Sequence, residues 1–355
     1  MAYKLLIINP GSTSTKVGVY QDEKQILEET IRHSSQEIME YETVYDQFEF
    51  REELILQVLK DKGFDINELD AVVGRGGSMK PVESGTYTVN KAMLEDLRFR
   101  PQTEHASNLG AIISNKIAKS INIPAFIVDP VVVDELDEVA RVSGLPEIER
   151  KTGFHALNQK AVAKRFAKET DKNYGDLNLL VAHMGGGVSV GAHKNGRIVD
   201  VNHGSQEGPF TPERAGDLPT EDLVKLCYSG KYTLEEIKKV LLGKGGIEAY
   251  LGTNDFREVE ERALSGDVKA KSIFDAFIYQ MGKEISKYAA VLCGDIDAII
   301  LTGGIAYSKS VTQGIKKMIS FIAPVVVYPG EDELLALAQG GLRVLSGVEK
   351  AKEYK

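Results

Sequence analysis

The sequence predicts an α/β protein of two domains that carry copies of one strand–turn–strand unit. Three observations support this fold class. Apolar runs of strand length alternate with segments of helical length along the chain. The chain has 355 residues, of which 43% are hydrophobic, enough for two separate cores. Finally, the apolar strands at 5–9 and 179–183 both run into turns of small residues, a repeat with a period of about half the chain.

Each copy of the repeat continues into a three-stranded meander. The predicted strands are 4–9, 16–20 and 25–31 in the first copy and 178–183, 188–193 and 197–202 in the second. The turns after the leading strands are rich in small residues, and glycine permits positive φ angles at which successive backbone N–H groups converge on an anion. Two such turns in matching positions predict that the two halves grip the phosphates of a nucleotide across a cleft.

The remaining elements follow from hydrophobic periodicity and from turn residues. The first half contains predicted helices at 35–62, 91–99 and 107–120 and predicted strands at 71–73 and 125–128. The second half contains predicted helices from about residues 220, 233, 255 and 267, a strand at 298–301, a helix at 308–320, a strand at 323–328 and a last helix from 331. A third glycine turn, Thr302–Ile305, follows the strand at 298–301, where open α/β sheets bind ligands.

Composition excludes several classes of function. The formal net charge of −9 argues against a general nucleic-acid or anionic-membrane surface. No run approaches the ~18 apolar residues of a membrane span, and the N-terminus lacks the pattern of a signal peptide. The two cysteines, Cys227 and Cys293, have no metal-binding or redox spacing. These features favour a cytoplasmic protein that binds neither nucleic acid nor membrane.

The common nucleotide-binding motifs are absent from the sequence. There is no G-x-x-x-x-G-K phosphate loop, and no G-x-G-x-x-G follows a predicted strand. A nucleotide must therefore be bound by another architecture, for which the three glycine turns are the candidates.

Eight short motifs lie in order along essentially the whole chain: NPGSTSTK at 9–16, GRGG at 74–77, FIVD at 126–129, TGFH at 152–155, HMGGG at 183–187, FTP at 210–212, NDFR at 254–257 and TGG at 302–304. In this order the chain resembles the acetate and butyrate kinases, a family of carboxylate phosphotransferases in the sugar kinase, heat-shock protein 70 and actin superfamily. The glycine-rich motifs around Arg75 and His183, with PGEDE at 329–333, resemble the butyrate kinase branch.

The resemblance implies duplicated ribonuclease H-like domains of the actin-like ATPase type, with a ligand cleft between them. Residues 1–150 with 331–355 would form the N-terminal domain on the carboxylate side. Residues 151–330 would form the C-terminal domain, which would bind the nucleotide and mediate assembly into a homo-oligomer, a dimer or larger. The implied reaction converts ATP and butyrate, or 2-methylpropanoate, into ADP and the acyl phosphate by direct in-line transfer, run toward ATP synthesis in fermentation.

Transfer of a phosphoryl group to a carboxylate brings two anions together, so catalysis rests on positioning and charge neutralisation. The resemblance implies six catalytic residues: Asn9, Arg75, His105, Asp129, His183 and Arg214. Arg75 would clamp the carboxylate with two hydrogen bonds, Arg214 would neutralise the transferring phosphoryl group, and His183 would donate to one of its oxygens. The structural alternative for Arg214 is a loop ion pair with Glu213 or Asp217.

ATP or ADP and Mg²⁺ are the cofactors that the resemblance implies. Asp129 would bind Mg²⁺ together with an acidic residue that opens the last helix, where the family register leaves both Asp332 and Glu333 open. Acidic residues also suit a helix N-terminus for electrostatic reasons alone. Asn9 would orient the phosphoryl group or a metal-bound water. Nucleotide contacts are implied for Gly11, Ser12, Thr13, Lys16, Gly185, Gly186, Gly187, Asp255, Phe256, Arg257, Gly303, Gly304 and Ile305.

The carboxylate-binding residues that the resemblance implies are Arg75, Gly77, Ala182 and Pro212. Acetate kinases carry larger apolar residues near the positions of Gly77 and Ala182, so we expect the small residues to leave room for a longer acyl chain. A buried methylene is worth about 0.8 kcal/mol, which limits the preference for butyrate over acetate to roughly tenfold.

Three alternatives to a butyrate kinase remain open. An acetate or propionate kinase would share the motifs and differ in the acid. A non-catalytic ATP-binding switch on the same fold would bind nucleotide and need no carboxylate clamp. A sugar or glycerol kinase needs a catalytic base near an alcohol, whereas a carboxylate is already ionised at pH 7.

Overall fold

The computed structural model describes residues 2–355. The chain divides into two compact units, one comprising the chain up to Asp134 together with Asp332–Lys355, and the other comprising Glu135–Glu331. The boundary predicted at residue 150 is therefore too late. Residues 135–150 belong to the second unit because the Asp137 N–H donates to the carbonyl of Val199 and Arg150 pairs with Asp200 and Glu207.

The elements of the described residues are as follows, in chain order. The strands are β1 (Lys4–Pro10), β2 (Ser14–Gln21), β3 (Lys24–Arg32), β4 (Ala71–Arg75), β5 (Thr86–Thr88), β6 (Ala125–Val128), β7 (Leu179–Met184), β8 (Val188–Lys194), β9 (Arg197–Val201), β10 (Ala298–Gly303), β11 (Val325–Pro329) and β12 (Lys352–Glu353). The α helices are α1 (Ser35–Met39), α2 (Phe48–Asp61), α3 (Lys91–Phe99), α4 (Asn108–Ser120), α5 (Glu138–Arg141), α6 (Ala156–Glu169), α7 (Thr220–Cys227), α8 (Leu234–Leu241), α9 (Gly246–Leu251), α10 (Phe256–Leu264), α11 (Val268–Ala289), α12 (Lys309–Ile319) and α13 (Glu333–Leu345). Short 3₁₀ helices occur at Tyr45–Gln47, Ile66–Glu68, Tyr174–Asp176 and Gly304–Tyr307.

Each unit contains one mixed sheet. Within the described residues, the first sheet has seven strands in the order β12-β5-β6-β4-β1-β2-β3, and the second has five in the order β11-β10-β7-β8-β9. In both, the leading strand (β1 or β7) pairs antiparallel with the next strand, which pairs antiparallel with a third. The other edge of the leading strand pairs with a parallel strand, β4 or β10. The predicted α/β fold with a duplicated meander is confirmed.

The two meanders also share an irregularity. The pairing of the second and third strands shifts register between Val19 and Tyr20 in the first unit and between Ala192 and His193 in the second. In both copies the shift lies just after the glycine of the second strand, Gly18 or Gly191 in the sequence repeat. The duplication therefore extends to a bulge, whose extra residue lies in the third strand of each meander, Ile26 or Val199.

The leading strand of the first sheet is buried on both faces. Leu6 and Ile8 pack in a core cluster with residues of α4. Leu5 points to the opposite face, where a Cβ on Gly341 of α13 would lie 2.8 Å from its Cδ2. Successive strand residues alternate between the faces, so a strand covered by helices on both sides is apolar throughout. This burial fixes the position of the polar residue that follows, Asn9.

The second sheet repeats this arrangement around β7. Leu180 and Ala182 pack in a core cluster with residues of α11. Val181 packs on the other side, in a cluster with residues of α6. His183 is thereby held at the end of a strand that is buried on both faces.

Several predicted elements need correction. The helix predicted at 35–62 is two helices, α1 and α2, with a break that contains a 3₁₀ turn. Helix α6 was not predicted, because its buried face contains Asn158, Gln159 and Lys160, which interrupt the apolar stripe. The strands β5 and β12 are too short to leave a periodic signal. The last helix starts at Glu333, because the Asp332 side chain caps it.

None of the helices in residues 2–355 is long and apolar enough to cross a membrane.

Candidate active site

The first glycine turn joins β1 to β2, and Arg51 of α2 holds its backbone from the inside. The guanidinium donates to the carbonyl oxygens of Gly11 at 2.8 Å and Ser12 at 3.1 Å. It also donates to the carbonyl oxygen of Ser14 at 3.3 Å and to Oγ1 of Thr15 at 3.1 Å. The carbonyl groups of the turn are therefore directed toward the interior.

The predicted nucleotide-binding residues of this turn lie on its outer side. Ser12, Thr13 and Lys16 are exposed. The described residues offer no hydrogen-bond acceptor to the backbone N–H groups of Ser12 and Thr13. These N–H groups and the neighbouring hydroxyls are available to an anion.

Three predicted residues of the first unit form one hydrogen-bonded cluster. Arg75 donates to Oε1 of Glu333 at 2.6 Å and to the amide oxygen of Asn9 at 3.3 Å. The amide nitrogen of Asn9 donates to Oε2 of Glu333 at 2.7 Å. Asn9 and Arg75 meet because they lie at the ends of the parallel neighbours β1 and β4. The side chain of Arg75 remains 27% exposed, so a ligand can reach it.

The two acidic residues that the sequence leaves open at α13 have different environments. Glu333 contacts Asn9, whereas Oδ1 of Asp332 accepts the backbone N–H of Leu335. Asp332 is therefore a helix cap, and Glu333 is the better candidate for the metal.

Asp129 is buried at the end of β6 and belongs to a different set of contacts. Its Oδ1 accepts from the hydroxyl of Ser84 at 2.6 Å and from the N–H of Gly85 at 2.7 Å. Its φ of +38° lies in the left-handed region, which is unusual for a residue other than glycine. Across residues 2–355, no group of three or more His, Cys, Asp or Glu side chains could hold a metal ion. Any metal site here would thus use at most two of these side chains.

His105 lies just before α4. Its Nδ1 accepts the backbone N–H of Ser107 at 3.1 Å and lies 2.9 Å from the Ser107 hydroxyl. The proton of the neutral ring is therefore on Nε2. Burial and, next, the positive charge of Arg75 lower the pKa of His105. At neutral pH this residue is an uncharged N–H donor.

The second glycine turn follows β7 in the second unit. The Gly185 N–H donates to the carbonyl of Gly187 at 2.9 Å, and the Thr211 hydroxyl donates to the carbonyl of Gly186 at 2.7 Å. Arg214 lies directly against this turn, since a Cβ on Gly187 would lie 2.8 Å from its Cζ. Only glycine leaves room for the guanidinium here.

Arg214 keeps unused hydrogen-bonding capacity. Its Nη1 donates to the carbonyl of Gly204 at 2.6 Å, while its buried Nε makes no hydrogen bond. Burial lowers the pKa of Arg214, partly offset by the charge of Glu213. The alternative of an ion pair with Glu213 or Asp217 is not realised among the ion pairs of the described residues. An orphaned guanidinium N–H beside a glycine turn that is predicted to bind an anion fits a phosphoryl ligand.

His183, at the end of β7, is fixed by three neighbours. Its Nδ1 donates to the amide oxygen of Asn158 at 2.8 Å, and its ring stacks on His155 with centroids 3.7 Å apart. Its Nε2 lies 3.0 Å from Oε1 of Glu331 but without hydrogen-bond geometry. Because Nδ1 carries the proton of the neutral ring, Nε2 can donate to a phosphoryl oxygen only as an imidazolium.

A cavity of about 630 Å³ opens beside the second and third glycine turns. Its predicted lining residues are Gly185, Gly186, Pro212, Asp255, Phe256, Arg257, Gly304 and Ile305. The cavity is also lined by four residues for which the sequence predicts no role: Asn254, Glu260, Tyr307 and Ser308. Its size and mixed lining suit a nucleoside.

Two of the predicted nucleotide residues serve mainly the fold. The ring of Phe256 packs between Phe274 and Phe277, with centroids 5.8 and 4.9 Å away. Gly303 has a φ of +87°, and a Cβ on it would lie 2.7 Å from the backbone nitrogen of Met184. Asp255 and Arg257 form an ion pair of 3.0 Å at the exposed start of α10.

The expected room for a longer acyl chain is not found at the predicted positions. A Cβ on Gly77 would lie 2.6 Å from the Cα of Asn108 and 2.7 Å from Cδ2 of Leu97, so protein atoms fill this space. Ala182 is fully buried in the core cluster on the α11 side of the second sheet. Pro212 lines the cavity beside the glycine turns. The structure therefore shows no free space beside Gly77 or Ala182, and the preference for a longer acyl chain stays a prediction.

Three residues with clear contacts to the site had no assigned role in the sequence. Arg51 is one charged residue in a charged helical stretch, and Asn158 lies in a helix that the periodicity does not predict. For His155, in the TGFH motif, the sequence predicts only packing or capping near the domain junction. Their contacts with the turns and with His183 depend on tertiary structure.

Comparisons with known proteins give close relatives of the full chain. Butyrate kinases 1 and 2 of Clostridium acetobutylicum are each 62% identical to it, over 99% and 100% of this chain and 100% of their own lengths. A probable butyrate kinase of Clostridium botulinum is 60% identical over 100% of both chains.

Solved structures show the same fold. The acetate kinase of Porphyromonas gingivalis superposes with a TM-score of 0.78 at 20% identity, over 97% of this chain and 100% of the other. The propionate kinase of Francisella tularensis gives 0.74 at 18% identity, over 95% and 98%. The model of the acetokinase family matches residues 146–323. The resemblance carried by the eight motifs is confirmed, and the chain belongs to the acetokinase family.

Proposed function

We propose that this protein is a butyrate kinase, which transfers a phosphoryl group from ATP to a short-chain carboxylate and forms ADP and an acyl phosphate. The observation that carries the proposal is the 60–62% identity, over the full length, to relatives named butyrate kinase. The residues of the two candidate half-sites support it, because each half-site combines an anion-binding turn with an arginine that has unused N–H groups.

The half-site of the first unit fits a carboxylate. Arg75 uses Nη1 for Asn9 and Glu333, and within the described residues its Nε and Nη2 make no hydrogen bond. That edge of the guanidinium can bind both oxygens of a carboxylate. Since the substrate is already ionised at pH 7, the reaction needs no general base. The neutral His105 is then a hydrogen-bond donor.

The half-site of the second unit fits a nucleotide. The cavity of about 630 Å³ would hold the nucleoside, and the N–H groups of the second glycine turn would bind phosphate oxygens. Arg214 and an imidazolium form of His183 would neutralise the charge of the transferring phosphoryl group. In-line transfer between two anions depends more on this charge neutralisation than on covalent catalysis by the protein.

Mg²⁺ fits the residues at the end of β1. The Asn9 amide and the Glu333 carboxylate are hydrogen-bonded to each other at 2.7 Å, and Mg²⁺ typically takes one or two carboxylates together with phosphates and waters. Asn9 and Glu333 would hold the ion, together with Asp129 as the resemblance implies. When bound, the ion would neutralise charge on the phosphate oxygens.

The proposal also covers the preferred acid, the direction of the reaction, the cellular compartment and the oligomeric state. The relatives' names favour butyrate, while acetate and propionate are the alternatives suggested by the names of the solved structures. We propose that the enzyme works toward ATP synthesis, in the cytoplasm, as a homo-oligomer. Both cysteines are unpaired and exposed, which suits a reducing compartment.

The test is an assay of the purified protein with ATP, Mg²⁺ and butyrate, acetate, propionate or glycerol, with acyl phosphate trapped by hydroxylamine. We expect hydroxamate from the short-chain acids, most efficiently from butyrate by about tenfold over acetate, and no ADP release with glycerol. Release of ADP without hydroxamate would reject the proposal. Equal kcat/KM for butyrate and acetate would reject the preference alone.

A further inference from the structure

Arg51 is a buried cation behind the first glycine turn. It is 1% exposed, and its guanidinium is surrounded by carbonyl oxygens of the turn, the hydroxyl of Thr15 and the side chain of Gln47. Gln47 accepts from Nε at 3.2 Å and from Nη2 at 2.9 Å. The N–H groups of Arg51 thus donate to the turn and to Gln47, and these hydrogen bonds hold the guanidinium against the turn.

The charge of Arg51 has no carboxylate partner among the described residues, unlike the other deeply buried cation. Lys160, also 1% exposed, pairs with Glu135 at 2.6 Å. Burying an unpaired charge costs free energy of folding, so a buried cation without a partner needs a specific explanation. Burial lowers the pKa of Arg51 to about 10, which leaves the guanidinium charged at neutral pH.

The neighbouring titratable group does not supply a countercharge. Thr15 Oγ1 accepts from Arg51 and lies within hydrogen-bonding distance, 2.9 Å, of Nε2 of His33. Burial and the charge of Arg51 lower the pKa of His33 to about 4, and this imidazole is neutral at pH 7. Arg51 is therefore a lone positive charge in the interior below the turn.

We propose that Arg51 is a positioning residue whose countercharge is the phosphoryl group bound by the first glycine turn. It binds the carbonyl oxygens of Gly11, Ser12 and Ser14, which leaves the N–H groups of Ser12 and Thr13 directed to the ligand. Its buried charge would attract an anion bound at the turn more strongly than an exposed charge would, because water screens a buried charge less. This role rests on the proposed function.

The test compares Arg51→Lys and Arg51→Met with the wild-type protein. We expect Arg51→Met to lower kcat by about 10²-fold or more, the scale of losing a preorganised donor at an oxyanion, and Arg51→Lys to recover part of the loss. We also expect both to weaken binding of ATP while leaving the affinity for adenosine within about twofold, because adenosine carries no phosphate. The KM for butyrate should stay within the same margin.

Lys160→Met is the matched control, since it removes an equally buried cation of the second unit, whose ammonium donates to Glu135 and to the carbonyl of Gly196. It should lower the temperature of unfolding and leave the ratio of ATP to adenosine affinity unchanged. A proportional loss of ATP and adenosine binding in both Arg51 variants would mean a merely structural role and would overturn the proposal.

A second variant covers the case in which Arg51→Met does not fold. Gln47→Leu keeps the charge and removes an acceptor that orients the guanidinium, and it should lower kcat by about threefold to tenfold with adenosine binding intact. Unchanged kcat in Gln47→Leu and in Arg51→Lys would reject the positioning role. If the wild-type protein makes no acyl phosphate, the proposed function fails, and the comparison of ATP with adenosine still tests Arg51.

Discussion

Single residues differ in what their charges do, and their partners show the difference. Arg150 is bound by Asp200 and Glu207 and stabilises the second unit. Arg75 and Arg214 keep N–H groups that the described residues do not use. The charge of a structural arginine is paired with carboxylates of the protein. An arginine with unused N–H donors beside a glycine turn is suited to binding a ligand.

Arg75→Ala tests the carboxylate clamp. We expect the KM for butyrate to increase, because the guanidinium would bind the carboxylate of the substrate, and kcat to decrease by about 10²-fold or more, because it would bind the transition state more strongly than the substrate. Arg98→Ala is the control in the same unit, since Arg98 is exposed and lies over the ring of Tyr45. Steady-state kinetics with butyrate varied measures both. Near-normal turnover of Arg75→Ala would reject its role.

At the scale of elements, the glycine turns owe their shape to what packs against them. The first turn is shaped by Arg51, the second by Arg214, and the third by the backbone at the end of β7. The three turns look alike in sequence because each needs small residues. They differ in structure because each has a different neighbour.

The second turn can be tested with two neighbouring glycines. A Cβ on Gly187 would overlap the guanidinium of Arg214, whereas a Cβ on Gly186 has nothing closer than Glu213 Oε1 at 3.9 Å. We expect Gly187→Ala to lower kcat by about tenfold or more by displacing Arg214, and Gly186→Ala to lower it much less. Adenosine affinity, measured by calorimetry, should be similar in the two variants. Equal kcat values would contradict the assigned position of Arg214.

The third turn should respond in stability. Gly303 has a φ of +87° and no space for a Cβ, while Gly304 has no heavy atom within 4 Å of its Cβ position. We expect Gly303→Ala to reduce the free energy of unfolding by more than about 1 kcal/mol and Gly304→Ala to change it little. Urea unfolding followed by circular dichroism measures the difference. A smaller effect at Gly303 than at Gly304 would contradict the predicted strain.

At the scale of the whole molecule, buried histidines couple folding to pH. Burial lowers the pKa of His193 well below 6.5 and that of His33 to about 4. Burial also lowers the pKa values of His105 and His203. The unfolded chain therefore binds more protons than the folded chain below about pH 6.5. The stabilising effect of the neutral rings is complete above that pH and is lost as the pH falls.

The pH dependence can be measured by urea unfolding between pH 7.5 and 5. We expect the free energy of unfolding to decrease below pH 6.5, by up to about 1.4 kcal/mol per pH unit for each histidine that stays neutral when folded. His193→Gln should reduce the slope of the free energy of unfolding against pH by an amount that corresponds to at most one bound proton. The reason is that His193 is fully buried between Tyr174 and Gln159. An unchanged slope in the variant would show that His193 does not contribute.

Local patterns were sufficient for much of the architecture. The two meanders, the glycine turns and most helices were predicted because apolar alternation, helical periodicity and small residues are properties of short segments. Helix α6 was missed because its buried face is polar, and Asn158, Gln159 and Lys160 are satisfied by partners more than 20 residues away. No window of the sequence contains those partners.

The sequence by itself determined the duplicated α/β fold, the family and the identity of Asn9, Arg75, His183 and Arg214 as candidates, because these are fixed by motifs and by their order. Tertiary structure alone decided which acidic residue of α13 meets Asn9, that Gly77 and Ala182 are packed against protein atoms, and that Arg51 supports the first turn. The physical reason is that these contacts join segments far apart in the chain, and burial and charge pairing arise only when the segments pack together.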